Sequence, residues 1–514
     1  MALLQVKIES GIVEGIPGWN QAVGLFRGIP YAAPPVGELR FKEPQPVKPW
    51  DGVLKAYNYG NISYQERRAS EGGGDLIGNE FYCVDWPRSE DCLYLNVWTP
   101  ANSAEEKLPV GVYLHGGGYA QGYGHLNCYD GEGFAKRGCI TVTLNHRLGI
   151  FGYLAHPELT AENEHHSSGN YGVLDIIAAL KWVKRNIAAF GGDPDKITVF
   201  GQSGGGSKVM TMIASPLTKG LITGAIMQSG GGLTRVRGEL TLAEAEKKGA
   251  EVLKGIGYES IKEARAASSE ELLAGIRRYV SGNAFQSMNL FAPNADGYVF
   301  PKHWNELFLT GQYPDIPTMI GCTSEEFVDD NFITGGKTNL PSRQEALADG
   351  ENLFGKGYGE AFLKSIHYDD NPEIAKEMYR KYVRMTGATL AADLAWCENQ
   401  LAQGKQPSYQ YFLTLVPPSA TSAHHSAEHH YVFQTLTKSK RPYTGRDWDL
   451  SNQLADYWAN FIQSGNPNGE GLPEWTPYTK ESKQAMDIDY DLHMIDEQTN
   501  DFVDLITEYN LKKK

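Results

Sequence analysis

The sequence predicts an α/β fold with a mainly parallel central sheet flanked by helices, and three observations predict it. Strand-like runs at 109–115, 139–145, 196–200 and 224–228 alternate with helix-forming stretches at 171–190 and 204–213. Alternation of this kind implies parallel strands joined by helical crossovers. The β-branched run Ile197-Thr198-Val199-Phe200 leads directly into Gly201-Gln202-Ser203-Gly204-Gly205, a G-x-S-x-G turn, and then into a helix former. A second apolar run, Val110-Gly111-Val112-Tyr113-Leu114, ends in His115-Gly116-Gly117-Gly118-Tyr119.

Taken in order, the first 100 residues or so read as short strands and Pro-rich loops. The strand at 109–115 delivers the three glycines. Only residues without a Cβ let backbone N–H groups crowd around a developing oxyanion, so this segment reads as an oxyanion loop, with a flexible turn as the plainer alternative. The strand at 196–200 delivers Ser203. In a nucleophile elbow the serine takes a strained conformation above the sheet, and the flanking glycines let strand and helix approach. With 57 glycines in 514 residues a chance G-x-S-x-G match is common, so the weight lies on the two motifs occurring together. The stretch 240–283, with Leu242-Ala243-Glu244-Ala245-Glu246-Lys247-Lys248, is charged and helical, and a second helical stretch spans 341–403.

Widely spaced segments carry a resemblance. Phe26-Arg27-Gly28-Ile29-Pro30-Tyr31-Ala32, Pro34-Pro35-Val36-Gly37, Leu39-Arg40-Phe41 and Ser89-Glu90-Asp91-Cys92-Leu93-Tyr94-Leu95-Asn96-Val97-Trp98 lie before the glycine loop. Gly169-Asn170-Tyr171-Gly172, Phe190-Gly191-Gly192-Asp193-Pro194 and Gln228-Ser229-Gly230 flank the serine turn. Tyr457-Trp458-Ala459-Asn460-Phe461 and Gly465-Asn466-Pro467-Asn468 lie near the C-terminus. Over nearly its full length the chain resembles type-B carboxylesterases, the cholinesterase-like branch of the α/β-hydrolases. The resemblance implies the α/β-hydrolase fold, as one catalytic domain over 1–514 with helical insertions at about 240–283 and 341–403 over the active site.

It also implies a triad. In Ile320-Gly321-Cys322-Thr323-Ser324-Glu325-Glu326-Phe327 the second glutamate, Glu326, matches the family's acid, with the adjacent Glu325 as the alternative because the family usually has glycine where Phe327 stands. In His424-His425-Ser426-Ala427-Glu428-His429-His430-Tyr431-Val432-Phe433 the match selects His425. The order Ser203, Glu326, His425 is the one expected of this fold. Gly117, Gly118 and Gly204 would supply the oxyanion N–H groups, and the family often has alanine in place of Gly204. The segment from Phe285 to Pro293 is similar to the family's acyl-pocket wall. That assigns Tyr119, Phe285, Met288, Leu290 and Phe291 to a substrate pocket, with ordinary core positions as the alternative. Tyr82 stands where a choline-binding tryptophan is expected, so acetylcholine is not the expected substrate.

The implied function is a serine carboxylesterase acting on small-molecule neutral esters without metal, nucleotide or other cofactor. A specialised acetyl or feruloyl esterase for carbohydrate or plant material is the enzymatic alternative. A non-catalytic adhesion protein of the same family is a second alternative, weakened because the serine, glutamate, histidine and glycine loop are all present. A metal site formed by His424, His425, Glu428, His429 and His430 is a third, weakened by the missing H-E-x-x-H order. His429 and His430 are otherwise expected at solvated surface or strand positions, and His165 and His166 in a solvated loop.

The chain has 41% hydrophobic and 21% charged residues, enough for a large core, and its net charge of −15 argues against nucleic acid, anionic membranes and polyanionic substrates. No apolar run spans a membrane and no signal peptide is visible, so a cytoplasmic, bacterial enzyme is expected. The sequence carries no signal for an oligomeric state. Cysteines at 83, 92, 128, 139, 322 and 397 show no metal-ligand spacing. The partner that secreted relatives place about 25 residues before Cys92 is missing here, so reduced thiols are expected, with a Cys83–Cys92 bridge as the alternative.

Overall fold

The structure, a computed structural model, describes residues 2–66, 81, 86–235, 240–282, 286–287, 289–328 and 340–512. Among these, eleven strands form one sheet. In chain order they are β1 (Ile16–Pro17), β2 (Gly24–Pro30), β3 (Tyr94–Thr99), β4 (Leu108–Leu114), β5 (Ile140–Leu144), β6 (Gly192–Gln202), β7 (Gly224–Gln228), β8 (Thr318–Thr323), β9 (Ser408–Leu413), β10 (Gln484–Ile488) and β11 (His493–Asp496). Their spatial order is β11-β10-β9-β8-β7-β6-β4-β5-β3-β2-β1. From β5 to β10 every neighbouring pair is parallel, and antiparallel pairs close both edges.

Strand periodicity divides the core. Val110, Val112, Leu114, Ile197 and Val199 face one cluster, while Tyr113, Phe200 and Ile226 face the other. Parallel strands covered on both faces read as continuous apolar runs, as β4 and β7 do. The first cluster is closed by α1 (Tyr171–Asn186) and α2 (Gly204–Ala214). Full burial of side chains such as Ile176 or Val209 contributes about 1.5–3 kcal/mol each.

The stretch predicted as an insertion at 240–283 forms α3 (Leu242–Gly255), α4 (Ile261–Ala266) and α5 (Ser269–Tyr279). Capping boxes start two of them: Thr241 with Glu244, and Ser268 with Glu271. The second stretch forms α6 (Arg343–Phe354), α7 (Gly359–Ser365), α8 (Pro372–Met378), a π-helical segment Tyr379–Thr386 and α9 (Gly387–Ala402). Leu394 and Trp396 of α9 join the first cluster. Beyond β9 come α10 (His429–Val432) and α11 (Gly445–Ser464), whose Leu454, Trp458 and Phe461 close the second cluster.

The predicted elements sit close to the observed ones, with two differences. The helix expected over 171–190 ends at Asn186 and tightens into a 3₁₀ turn, Ile187–Phe190, stopped by Gly191 at φ 82°. The strand expected at 196–200 runs over Gly192–Gln202, with an irregularity between Gly192 and Ile197 where Asp193-Pro194 interrupts the pairing. No helix among the described residues is long and apolar enough to cross a membrane. Cys92, Cys128, Cys139, Cys322 and Cys397 are free and buried, whereas Cys83 lies outside the described residues.

Candidate active site

The chemistry-bearing segments all follow carboxyl ends of parallel strands, where open α/β sheets place their ligands. Ser203 follows β6, the glycine loop follows β4, Glu326 follows β8, and His425 lies between β9 and α10.

Ser203 occupies φ 58°, ψ −128°, a backbone region costly for a side chain bearing a Cβ. It is held there because its N–H donates to the Gln228 carbonyl at 2.7 Å and its carbonyl accepts from Ser207 N–H at 3.1 Å. The glycines are steric requirements. A Cβ on Gly205 would lie 2.0 Å from the Leu114 carbonyl oxygen, and one on Gly201 would lie 2.6 Å from the Gly205 backbone. Gly205→Ala is therefore expected to destabilise the fold by about 3 kcal/mol through overpacking against an unyielding strand, read as a lowered Tm.

Gly117 and Gly118 take φ 88° and 60°, conformations that favour glycine. Their N–H groups, and that of Gly204 in the first turn of α2, donate to no protein acceptor among the described residues. A Cβ on Gly204 would lie 2.4 Å from the Gly118 nitrogen, so the loop and the start of α2 are in direct backbone contact. The glycine loop and the start of α2 thus meet next to Ser203 with three backbone N–H groups that no protein acceptor takes among the described residues.

Glu326 and His425 are 1% and 4% exposed. One Glu326 carboxylate oxygen accepts from Thr323 N–H at 2.9 Å, and the other makes a short hydrogen bond with His425 Nδ1. Glu326 N–H donates to Thr386 Oγ1 at 3.1 Å, and His425 N–H donates to the Glu326 carbonyl at 2.6 Å, so backbone and side chain both tie the two loops. Glu325 points elsewhere, 3.5 Å from Arg380. The structure therefore brings Glu326, not its neighbour, to the imidazole. Phe327 packs its ring on His425 with centroids 4.1 Å apart.

With Nδ1 turned to Glu326, Nε2 is the acceptor. It faces the Gln202 side-chain amide at 3.2 Å, the residue immediately before Ser203. The side-chain hydrogen bonds of His425 go to Glu326 and Gln202, and none joins it to Ser203 Oγ. The fully buried Glu428 is reached by Gln228 Nε2 at 3.2 Å, and burial pushes its carboxyl up to about 7.

The other histidines correct the sequence reading. His429 and His430 are neither solvated nor in a strand: both are 2% exposed, on α10. His429 packs on Tyr113 and Tyr129, and His430 stacks on Phe81 while its Nδ1 meets Thr435. Burial drives His429 well below its ordinary pKa, and a neutral imidazole packs there as an aromatic ring. Spacing alone could not show that this short helix turns inward. His424 accepts from Arg441 at Nε2, so the clustered side chains diverge. Among the described residues no group of three His, Cys, Asp or Glu is arranged to hold a metal ion. His165 and His166 are exposed as expected, His165 lying on Tyr298.

Of the pocket residues, Phe291 lines a small recess with Ala120, Gln121, Leu273 and Ile276. Tyr119 and Leu290 are half-buried against the core and lie outside that lining. Phe285, Met288 and Tyr82 lie outside the described residues.

The sheet order, the positive-φ serine at the strand-to-helix corner and the chain order serine, glutamate, histidine define an α/β-hydrolase. A family model described as "Carboxylesterase family" matches residues 2–505. The chain is 34% identical over 502 residues to para-nitrobenzyl esterase of Bacillus subtilis (strain 168), covering 95% of each. It is 30% identical over 501 residues to cocaine esterase of Homo sapiens, covering 92% of this chain and 85% of that protein. Among solved structures, a thermophilic para-nitrobenzyl esterase superposes with TM-score 0.79 at 31% identity over 99% of both chains. A Geobacillus stearothermophilus carboxylesterase does so with TM-score 0.79 at 31% identity, covering 96% and 98%. The chain belongs to the carboxylesterase family and is a serine carboxylesterase, hydrolysing carboxylic esters to acid and alcohol. This membership favours neither the non-catalytic nor the metal-binding alternative.

Proposed function

We propose that Ser203, His425 and Glu326 carry out ester hydrolysis, with the N–H groups of Gly117, Gly118 and Gly204 as the oxyanion hole. The observation that carries this reading is the Glu326–His425 pair held against the residue preceding a strained serine. Ser203 Oγ attacks the ester carbonyl as His425 Nε2 takes its proton, and Gln202 yields its place at Nε2 to the serine. The tetrahedral oxyanion is held by the three N–H donors. Collapse breaks the bond to the alkoxy oxygen, which leaves as alcohol with the proton from His425. Water then attacks the acyl-enzyme with His425 again as base, releasing the acid and restoring Ser203. Glu326 accepts from Nδ1, which fixes the tautomer and stabilises the imidazolium.

The substrates are small to medium neutral esters. The strongly negative chain repels polyanions, and Leu273, Ile276 and Phe291 give the recess beside Ala120 apolar walls. The whole chain works as one catalytic unit, an account supported by the continuity of the core from Val6 to Ile506. A bacterial, cytoplasmic setting is supported by the free buried thiols and the extent of similarity to the Bacillus enzyme.

Hydrolysis of p-nitrophenyl acetate, butyrate and octanoate by the wild type and Phe291→Ala tests substrate choice. The variant is expected to shift its preference toward octanoate by about tenfold in kcat/KM. An unchanged profile would remove Phe291 from the acyl pocket.

A further inference from the structure

Lys208, in the second turn of α2, is fully buried. Its Nζ donates to two backbone carbonyls: His115 O at 2.9 Å and Gly118 O at 2.7 Å. Among the described residues no carboxylate pairs with it. The groups around it are the His115 and His146 imidazoles, stacked with centroids 4.7 Å apart, and the Tyr119 ring, 5.7 Å from Nζ. Burial brings its pKa down to about 7, and a neutral amine still offers two N–H groups to two carbonyls.

The position of those carbonyls matters. An N–H direction is fixed once its peptide plane is fixed. The Gly117 N–H shares a plane with the Gly116 carbonyl, which meets His115 Nδ1 at 2.8 Å. The Gly118 N–H shares a plane with the Gly117 carbonyl, which accepts from Gln121 N–H at 3.0 Å. The two planes on either side are those Lys208 holds. Four consecutive carbonyls from His115 to Gly118 are therefore anchored, the outer two by one side chain. The three glycines would otherwise leave this loop the freest backbone in the site. The pull of Lys208 on Gly118 draws the loop onto α2, where Gly204 has no Cβ to oppose it.

We infer that Lys208 is a positioning residue of the oxyanion hole, clamping the glycine loop from behind so that the Gly117 and Gly118 N–H groups are aimed before the substrate arrives. Gly204 is the matching concession on α2, its missing Cβ leaving room for the Gly118 backbone. This inference rests on the serine-esterase assignment above and adds a group that assignment does not use.

The test compares Lys208→Met, which keeps length and loses the donors, with Lys208→Gln, which keeps an N–H₂. Both are assayed for kcat and KM with p-nitrophenyl butyrate. Affinity is measured for an alkyl trifluoromethyl ketone, which forms a tetrahedral adduct, and for the methyl ketone of the same chain, which does not. Lys208→Met is expected to lose about 10²–10³ in kcat, with KM within about threefold. Trifluoromethyl ketone affinity should fall by a comparable factor while methyl ketone affinity holds, and Lys208→Gln should recover part of both losses. A folded Lys208→Met with wild-type kcat would overturn the inference. So would equal weakening of both ketones, or failure of both variants to fold, which would assign Lys208 to the core. Ser203→Ala run in parallel separates the two claims. If it stays active the esterase assignment fails, and if it is inactive while Lys208→Met is not, only the clamp fails.

Discussion

Ser203→Ala is expected to lower kcat for p-nitrophenyl butyrate by about 10⁴–10⁶-fold, with a circular dichroism spectrum matching the wild type. The large factor follows from losing the covalent route altogether: without Oγ no acyl-enzyme forms, and the remaining donors and binding surface give only residual catalysis. The substitution is mild for the fold. Serine to alanine keeps the Cβ and the strained φ of 58°, and the backbone bond from Ser203 N–H to Gln228 is untouched. Pre-steady-state traces should also change, the p-nitrophenol burst of the wild type disappearing. A variant retaining a tenth or more of wild-type kcat would place the activity elsewhere in the chain.

Glu326→Gln is expected to cost about 10²–10⁴ in kcat, whereas Glu325→Gln should stay within about threefold of the wild type. The two residues are adjacent and of identical chemistry, so the contrast isolates geometry. Glu326 takes Thr323 N–H at 2.9 Å on one oxygen and His425 Nδ1 on the other, and a glutamine cannot satisfy both partners and still accept from Nδ1. Presenting an amide N–H to the imidazole selects the tautomer with its proton on Nε2, which cannot serve as base toward Ser203. Glu325 pairs with Arg380 at 3.5 Å, partly in solvent, a pair of small energetic weight. Steady-state kinetics on both variants, with thermal melts to confirm folding, decide between them. The reverse ranking would move the acid one residue back.

Much of this architecture is legible in the residues because periodicity and steric demand act locally. Val110 to Leu114 and Ile197 to Phe200 read as buried strands from their apolar content, and Gly201 and Gly205 as close approaches from their place around a serine. What the structure adds is mostly tertiary. The choice of Glu326 is made by Thr323 and Thr386, and the latter reaches it from the end of the π-helical segment, some 60 residues further along the chain. His429 and His430 sit in a polar, histidine-rich stretch that reads as solvated, yet Tyr113, Tyr129 and Phe81 supply an aromatic bed that no local pattern reveals. Lys208 escapes notice because a lysine after four small residues reads as an exposed helix position. Its burial becomes visible only when the glycine loop from β4 is laid over it. The two apolar neighbours Val209 and Met210 are the one local hint that this turn of the helix is enclosed.

The central claim, that Ser203 is the nucleophile, is tested most directly by treating the wild-type enzyme with diethyl p-nitrophenyl phosphate and locating the adduct by peptide mass spectrometry. Attack by the nucleophile on phosphorus breaks the bond to p-nitrophenolate and leaves a diethylphosphoryl group on the protein. The account predicts one such group per chain, on the peptide bearing Ser203, accumulating in proportion to the loss of esterase activity and absent from Ser203→Ala. Stoichiometric inactivation with the phosphoryl group on another residue would contradict it.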